Sequence, residues 1–314
     1  MSGGLRRSSG ASLVDGAMSI DWDAGRPVDL RSTLMPLVRG RGDPSHRFVD
    51  GRFWWAAATP AGAATIVVAA RGSTVSASAW GGGAPWLLDR VPALLGSHDD
   101  WTGVDVAAHP ALARVLRARP GLRLCATGLV MESLVPAVLE QKVTGMEARR
   151  AWRTMLHRCG TPAPGPTPGP MRVVPSPVVL RDLPTWEWHR MGVDSKRRST
   201  IRAAASVAHR LEESTAANVL TRLRAVPGVG EWTAAETAQR AFGHPDAVSV
   251  GDYHLKNWVV HALTGRPRGS DEQMLQLLAP WAGQRQRVVR LIELTGAAPP
   301  RFGPRFAPND IRAI

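Results

Sequence analysis

Five residues, Val226-Pro227-Gly228-Val229-Gly230, separate helical patterns at 216–224 and 231–242. A connection this short makes the two helices neighbours. Gly228 and Gly230 permit backbone angles closed to other residues and put no side chain in front of the amides. The second helix carries Ala234, Ala235 and Ala238, so its partner can approach closely. Amides at its start, around Glu231, point outward, and the helix dipole adds positive potential there. Val226, Gly228, Gly230 and Glu231 are therefore candidate phosphate-binding positions, through backbone rather than charge. An ordinary corner between helices, where Pro-Gly is common, accounts for the same five residues.

One acid follows. Asp252 comes after the short extended run Val248-Ser249-Val250-Gly251 and opens a helical pattern at 253–263. Asp is a favoured helix cap, and capping alone explains it. The same position suits catalysis, because amides and the dipole favour an ionised carboxylate. Such a carboxylate stabilises a sugar turning cationic and orients an attacking water, as in glycoside hydrolysis but with one acid. Tyr253, the only tyrosine in the chain, adjoins it.

Charge agrees with an anionic partner without proving one. The 314 residues hold 39 basic and 26 acidic side chains, a formal net charge of +13. Such a balance favours association with a polyanion. Only Lys142, Lys196 and Lys256 are lysines, and an arginine bias alongside Ala, Gly and Pro has codon usage as its plain alternative. Cys125 and Cys159 are too few for a four-cysteine iron–sulfur or zinc site or a disulfide framework, so no metal site is expected. No apolar run approaches the ~20 residues of a membrane span. Arg6 and Arg7 precede no apolar core, so no secretory signal is read and a cytoplasmic location is expected.

The pattern along the chain predicts an α+β protein, a small antiparallel-sheet domain followed by a mostly helical one. Residues 1–18 read as a flexible tail, 19–98 as the sheet domain, 99–298 as the helical domain and 299–314 as a basic tail. Apolar runs around 53–56, 64–69 and 74–77, broken at Asp50-Gly51, Pro60-Ala61-Gly62 and Arg71-Gly72, predict strands joined by hairpins. Helices are expected at 85–95, 110–118, 133–151, 183–191, 196–212 and 271–294, besides those already named. In the 133–151 helix Ser133 serves as cap and Pro136 falls in the first turn. Residues 160–178, rich in Pro and Gly, are expected to be an extended loop.

Residues 226–230, Trp232 and Asp252 resemble the helix-hairpin-helix DNA glycosylases, most closely the AlkA-like, 3-methyladenine DNA glycosylase II branch. Ala118-Arg119-Pro120-Gly121-Leu122-Arg123-Leu124 is similar to the segment entering that family's helical domain. Residues 134–143 (LVPAVLEQKV) resemble its DNA-wedge helix, and Trp281 in Ala279-Pro280-Trp281 resembles the start of its last helix. The likeness spans about residues 25–295 and includes the strand-rich N-terminal layer.

The resemblance implies a helix-hairpin-helix glycosylase domain in which Asp252 is the catalytic acid. Gly228 and Gly230 present amides to a phosphate, Gln141 and Lys142 lie at the loop that fills the gap left by the extruded nucleotide, and Trp232 lines the base pocket or its wall, with Tyr253 a further pocket candidate. It implies a monofunctional enzyme of base excision repair that flips a damaged, alkylated base out of duplex DNA and hydrolyses its N-glycosidic bond. The expected setting is a nucleoid-associated monomer needing no cofactor, with a monovalent cation at the hairpin as an option.

The chain departs from the pattern twice. Glu236 stands where an aromatic is usual on the hairpin's second helix, and Arg287-Val288-Val289-Arg290 occupies the stretch of the final helix where a pocket aromatic is expected. Glu236 reads either as a base-pocket group that attracts a cationic base or bonds its edge, or as a solvated helix glutamate. Lys142 reads either as a DNA contact or as a solvated helix end. A non-catalytic DNA binder and a glycosylase for oxidised or deaminated bases are the alternative functions.

Overall fold

The computed structural model describes residues 5–6 and 16–300. Six strands form one antiparallel sheet: β1 (Leu5–Arg6), β2 (Met18–Asp23), β3 (His46–Val49), β4 (Arg52–Thr59), β5 (Gly62–Arg71) and β6 (Thr74–Trp80). Their order is β1-β2-β6-β5-β4-β3. The β3–β4 connection is Asp50-Gly51, both with positive φ (49° and 74°), as a two-residue hairpin demands. Along β6 every second residue, Val75, Ala77 and Ala79, is buried, so one face points to a core. Helices α1 (Leu30–Leu34) and α2 (Ala84–Leu94) cover it, packing Leu34, Leu87 and Val91 against Phe53, Trp55 and Ile66. Part of the stretch expected as a loose tail is structured, since Leu5–Arg6 pairs with Trp22 and Asp21. The C-terminal stretch from residue 301 lies outside the described residues.

The remaining elements are mostly helical: α3 (Pro110–Ala118), α4 (Val130–Leu139), α5 (Gly145–Cys159), α6 (Pro177–Asp182), α7 (Thr185–Arg190), α8 (Ser195–Ser206), α9 (Ala208–Glu212), α10 (Val219–Arg224), α11 (Glu231–Phe242), α12 (Leu255–Thr264), α13 (Asp271–Leu278) and α14 (Arg285–Thr295). Two apolar cores hold them. Leu134, Trp152, Leu180, Trp188, Ile201, Leu223 and Ala234 belong to the first, built from α4–α11. Leu112, Val259, Met274, Val288 and Leu291 belong to the second, where α3 and α12–α14 meet. Arginines tie the helices to the sheet layer: Arg119 to Asp29 at 3.0 Å, Arg240 to the Pro36 carbonyl at 3.1 Å and Arg290 to the Ser32 carbonyl at 2.8 Å.

Three expected helices are divided. The 133–151 pattern breaks into α4 and α5, because Lys142 adopts φ +53° and Thr144 starts a new helix through a capping box with Glu147. Ser133 is no cap. It is buried inside α4, its hydroxyl bonded to the Leu129 carbonyl, and Pro136 lies well beyond the first turn. The 196–212 pattern splits into α8 and α9 at Val207, and the 271–294 pattern into α13 and α14 around a 3-10 turn at Ala279–Trp281. Within 160–178, Thr161–Pro162 and Arg172–Val173 form a short ladder, and α6 begins at Pro177.

Candidate nucleic-acid interface and active site

Helices α10 and α11 flank the five-residue turn. Val226 is buried, its N–H donating to Leu223 and its carbonyl accepting from Val229. It therefore anchors the turn and has no amide left to donate to a phosphate. Gly228 takes φ +86°, and a Cβ there would stand 1.9 Å from Thr200 Oγ1, so both conformation and packing require glycine. Gly230 is different. Its φ of −89° is open to any residue, yet a Cβ would meet nothing within 4 Å. It caps α11 with no side-chain hydrogen bond, leaving the amides of the first turn, from Glu231 onward, facing open space. Among the described residues nothing accepts from the Gly228 or Gly230 amide.

Gln141 reaches this turn from the loop between α4 and α5. Its Nε2 donates to the Gly228 carbonyl at 3.0 Å and to Thr233 Oγ1 at 2.8 Å. Lys142, next to it, is exposed, and its left-handed backbone is uncommon for a side-chain-bearing residue. Met146, at the start of α5, is 56% exposed. An outward methionine beside Lys142 was not singled out in the sequence, where a lone Met carries no pattern.

Asp252 sits across from α11. Its Oδ1 accepts the amides of His254 at 2.7 Å and Leu255 at 2.8 Å, so it holds the turn that leads into α12. That helix begins at Leu255, with His254 at its N-cap position, rather than at Tyr253 as expected. Its Oδ2 accepts from the indole Nε1 of Trp232 at 3.2 Å. Half-buried Trp232 is thus more than a wall, since it aims the acid. The chain before Asp252 runs back along the same helix face: Gln239 donates to the Ala247 carbonyl (2.8 Å) and to Ser249 Oγ (3.0 Å), and Ser249 donates to Glu236 Oε1 (2.6 Å). Tyr253 stands 68% exposed with its ring edge-on to His254, so it forms no part of an enclosed wall.

Glu236 is not a solvated helix glutamate. Arg240 pairs with it at 2.8 Å. Burial pushes its carboxyl up, but Arg240, the Ser249 hydroxyl and Arg39 outweigh that and hold it below the ordinary glutamate value. Arg39 also meets Glu140 at 3.0 Å, so a chain of alternating charges joins α11 to the end of α4. The final helix contributes no ring. Arg287 is buried against Asp99 at 2.6 Å, and Arg290 is taken by Glu293 at 2.6 Å and the Ser32 carbonyl. Lys256 is paired with Asp271 at 3.2 Å.

A separate cavity of about 340 Å³ is lined by Leu129, Glu132, Val135, Trp152, Leu180 and Glu212, among others, and includes no residue of the hairpin or of the Asp252 segment. Burial raises the Glu132 carboxyl to about 8, with Glu212 and Asp43 adding to the rise against the Trp55 indole and the Ala58 amide.

No family model matches the sequence, and no curated protein matches it. Solved structures do match in fold. MBOgg1 in complex with a low-affinity DNA ligand aligns at TM-score 0.71 and 14% identity, over 94% of this chain and 98% of that one. A 3-methyladenine DNA-glycosylase from Archaeoglobus fulgidus aligns at TM-score 0.70 and 14% identity, over 88% and 98%. The Clostridium acetobutylicum 8-oxoguanine glycosylase/lyase with double-stranded DNA aligns at TM-score 0.67 and 11% identity, over 93% and 96%. The chain has the fold of these DNA glycosylases, a mixed α/β architecture of antiparallel sheet and many helices. The 3-methyladenine branch is not singled out among them.

Proposed function

We propose that the protein is a monofunctional DNA glycosylase that removes damaged bases from duplex DNA. One observation carries the reading: the open amide end of α11 at Gly230 and the Asp252 carboxylate are joined through Trp232, two residues into the same helix. A strand held by its phosphate at the turn would have a neighbouring sugar within reach of the acid.

The reaction breaks the bond between the sugar C1′ and the base nitrogen, and the electron pair leaves with the base. The sugar becomes oxocarbenium-like, and the Asp252 carboxylate, fixed before substrate arrives, stabilises that charge. Water adds to C1′ and its proton passes to the carboxylate or to solvent, leaving an abasic site. Extrusion of the nucleotide costs a few kcal/mol, least for a damaged base. The 141–144 loop, with Lys142 and Met146 outward, would enter the vacated stack. Strand cleavage would need an amine for a Schiff base. Glu231 and Trp232 follow the hairpin glycines instead, and Lys256 is engaged by Asp271.

An alkylated base is the first substrate class to try, on the resemblance. Glu236 favours a second, a neutral oxidised or deaminated base read by hydrogen bonds, because its charged pair with Arg240 replaces a ring face. The reading requires no cofactor, accommodates a monovalent cation on hairpin carbonyls, and suits a monomer acting in the cytoplasm at the nucleoid. Duplexes carrying alkylated, oxidised or deaminated bases test it. Base release that vanishes in Asp252→Asn while DNA affinity persists supports the enzyme; DNA binding with no release across the panel leaves a non-catalytic binder.

A further inference from the structure

The loop Arg39-Gly40-Arg41-Gly42 enters the story through its contacts. Both glycines have positive φ, 80° and 77°. A Cβ at Gly40 would lie 2.4 Å from Cδ of Arg149, and one at Gly42 would lie 3.8 Å from Cδ of Arg153. The loop therefore lies flat on α5, against two arginines one helical turn apart. A Cβ on Gly145 would be 2.9 Å from Arg149 Nη1, which sets that guanidinium over the first turn of α5. That turn follows directly on the 141–144 loop, and Gln141 is bonded to Gly228. Contacts thus run from the hairpin through the Lys142 loop to Arg149 and on to Arg153, with exposed Arg41 carried between Gly40 and Gly42 on the loop that lies against them.

These charges face outward uncompensated. Arg41 and Arg149 are exposed and Arg153 is half-buried, and among the described residues none of the three has an ion pair. The nearby acids are occupied. Glu140 is paired with Arg39, Glu147 receives the Thr144 amide, and buried Asp43 takes the Arg39 amide and the Trp152 indole. Arginine forks match phosphate oxygens, and each phosphate neutralised releases counterions.

We propose that Arg41, Arg149 and Arg153 form a second contact for the phosphodiester backbone of duplex DNA, beyond the Lys142 loop as seen from the hairpin. The inference rests on the reading that the hairpin and that loop engage a duplex. With one grip on each side of the inserted loop, a bend can be held open. A hairpin alone supplies a single point.

The test compares the full-length protein with its R41A/R149A/R153A variant on a duplex of about 25 base pairs bearing an abasic-site analogue, from about 50 to 200 mM salt. Each lost phosphate contact lowers the slope of log affinity against log salt by roughly 0.9, so a drop of about two to three is expected, with affinity down about tenfold or more at the low-salt end. A control variant, R52A/R71A/R117A, removes equal charge from other exposed positions. A slope unchanged in the test variant, or lowered equally in the control, overturns the proposal. Should the wild-type chain itself show no duplex affinity that Gly230→Asp weakens, the underlying DNA reading falls instead. Circular dichroism and melting of the variant establish that a lost contact, not a lost fold, is being read.

Discussion

The indole Nε1 of Trp232 lies 3.2 Å from one oxygen of Asp252 while the other oxygen accepts two backbone amides. The acid is held from both ends by groups that cannot swing away independently. Trp232→Phe keeps the ring and removes the donor. Hydrogen bonds to charged groups are worth about 1.5–3 kcal/mol, so base release should slow by roughly 10- to 100-fold with duplex affinity little changed. Single-turnover kinetics decide it, and wild-type release from the variant would reduce the indole to a wall.

Gly230 and Gly228 separate anion binding from folding. Gly230→Ser fits the open space, and its hydroxyl would cap the amides of α11 itself. Stability should rise by roughly a few tenths of a kcal/mol while affinity for all duplexes falls. Gly228→Ala meets Thr200 and a positive φ, and should cost about 1–3 kcal/mol of stability. Urea unfolding beside fluorescence anisotropy reads both, and a Gly230→Ser protein with undiminished affinity would remove the helix end from the interface.

Lys142 stores strain that a glycine would release. Lys142→Gly should gain up to about 1 kcal/mol in denaturant unfolding, since φ +53° costs a side-chain-bearing residue roughly that much. The same change should weaken binding to DNA with an abasic gap. A destabilised variant would mean that the lysine side chain, not the backbone, holds the loop.

The buried pair Glu132 and His46 sets a pH signature. Burial raises Glu132 to about 8, so folded protein keeps a proton that the unfolded chain releases, and stability falls as pH climbs from 4.5 to about 8. Burial lowers His46 to about 4, partly offset by Asp43 and reinforced by Arg39, so its contribution rises between about 4 and 6.5. The two slopes oppose each other up to pH 6.5, and above it Glu132 acts alone. A loss of about 2 kcal/mol is expected between pH 6.5 and 8, at ~1.4 kcal/mol per unit. Glu132→Gln retains an acceptor for the Trp55 indole and should abolish that fall; identical profiles by urea titration would refute the assignment.

Local signals were legible where the chain writes its own boundary. Helix α3 begins at Pro110 as expected, and α11 runs from Glu231 to a left-handed Gly243. The hairpin and Asp252 were visible for the same reason. The break between α4 and α5 was missed although Thr144-Gly145-Met146-Glu147 carries a local capping-box signal, because Gln141, Lys142 and Val143 read as helix and the bonds from Gln141 to Gly228 and Thr233 are nonlocal. The burial of Glu236 was not legible, since two of its partners, Ser249 and Arg39, are distant in sequence. The Arg41, Arg149 and Arg153 band is equally nonlocal. It joins a loop of the sheet layer to a helix more than a hundred residues later.

One amide side chain, that of Gln141, spans the Gly228 carbonyl and the Thr233 hydroxyl. On the proposed reading, the loop that would enter a helix of stacked bases and the turn that would hold its edge are consequently a single rigid tool of preset spacing. On encounter the nucleic acid would supply nearly all the deformation. Stiff and pliable stretches of genome would then be searched unequally before any lesion is recognised.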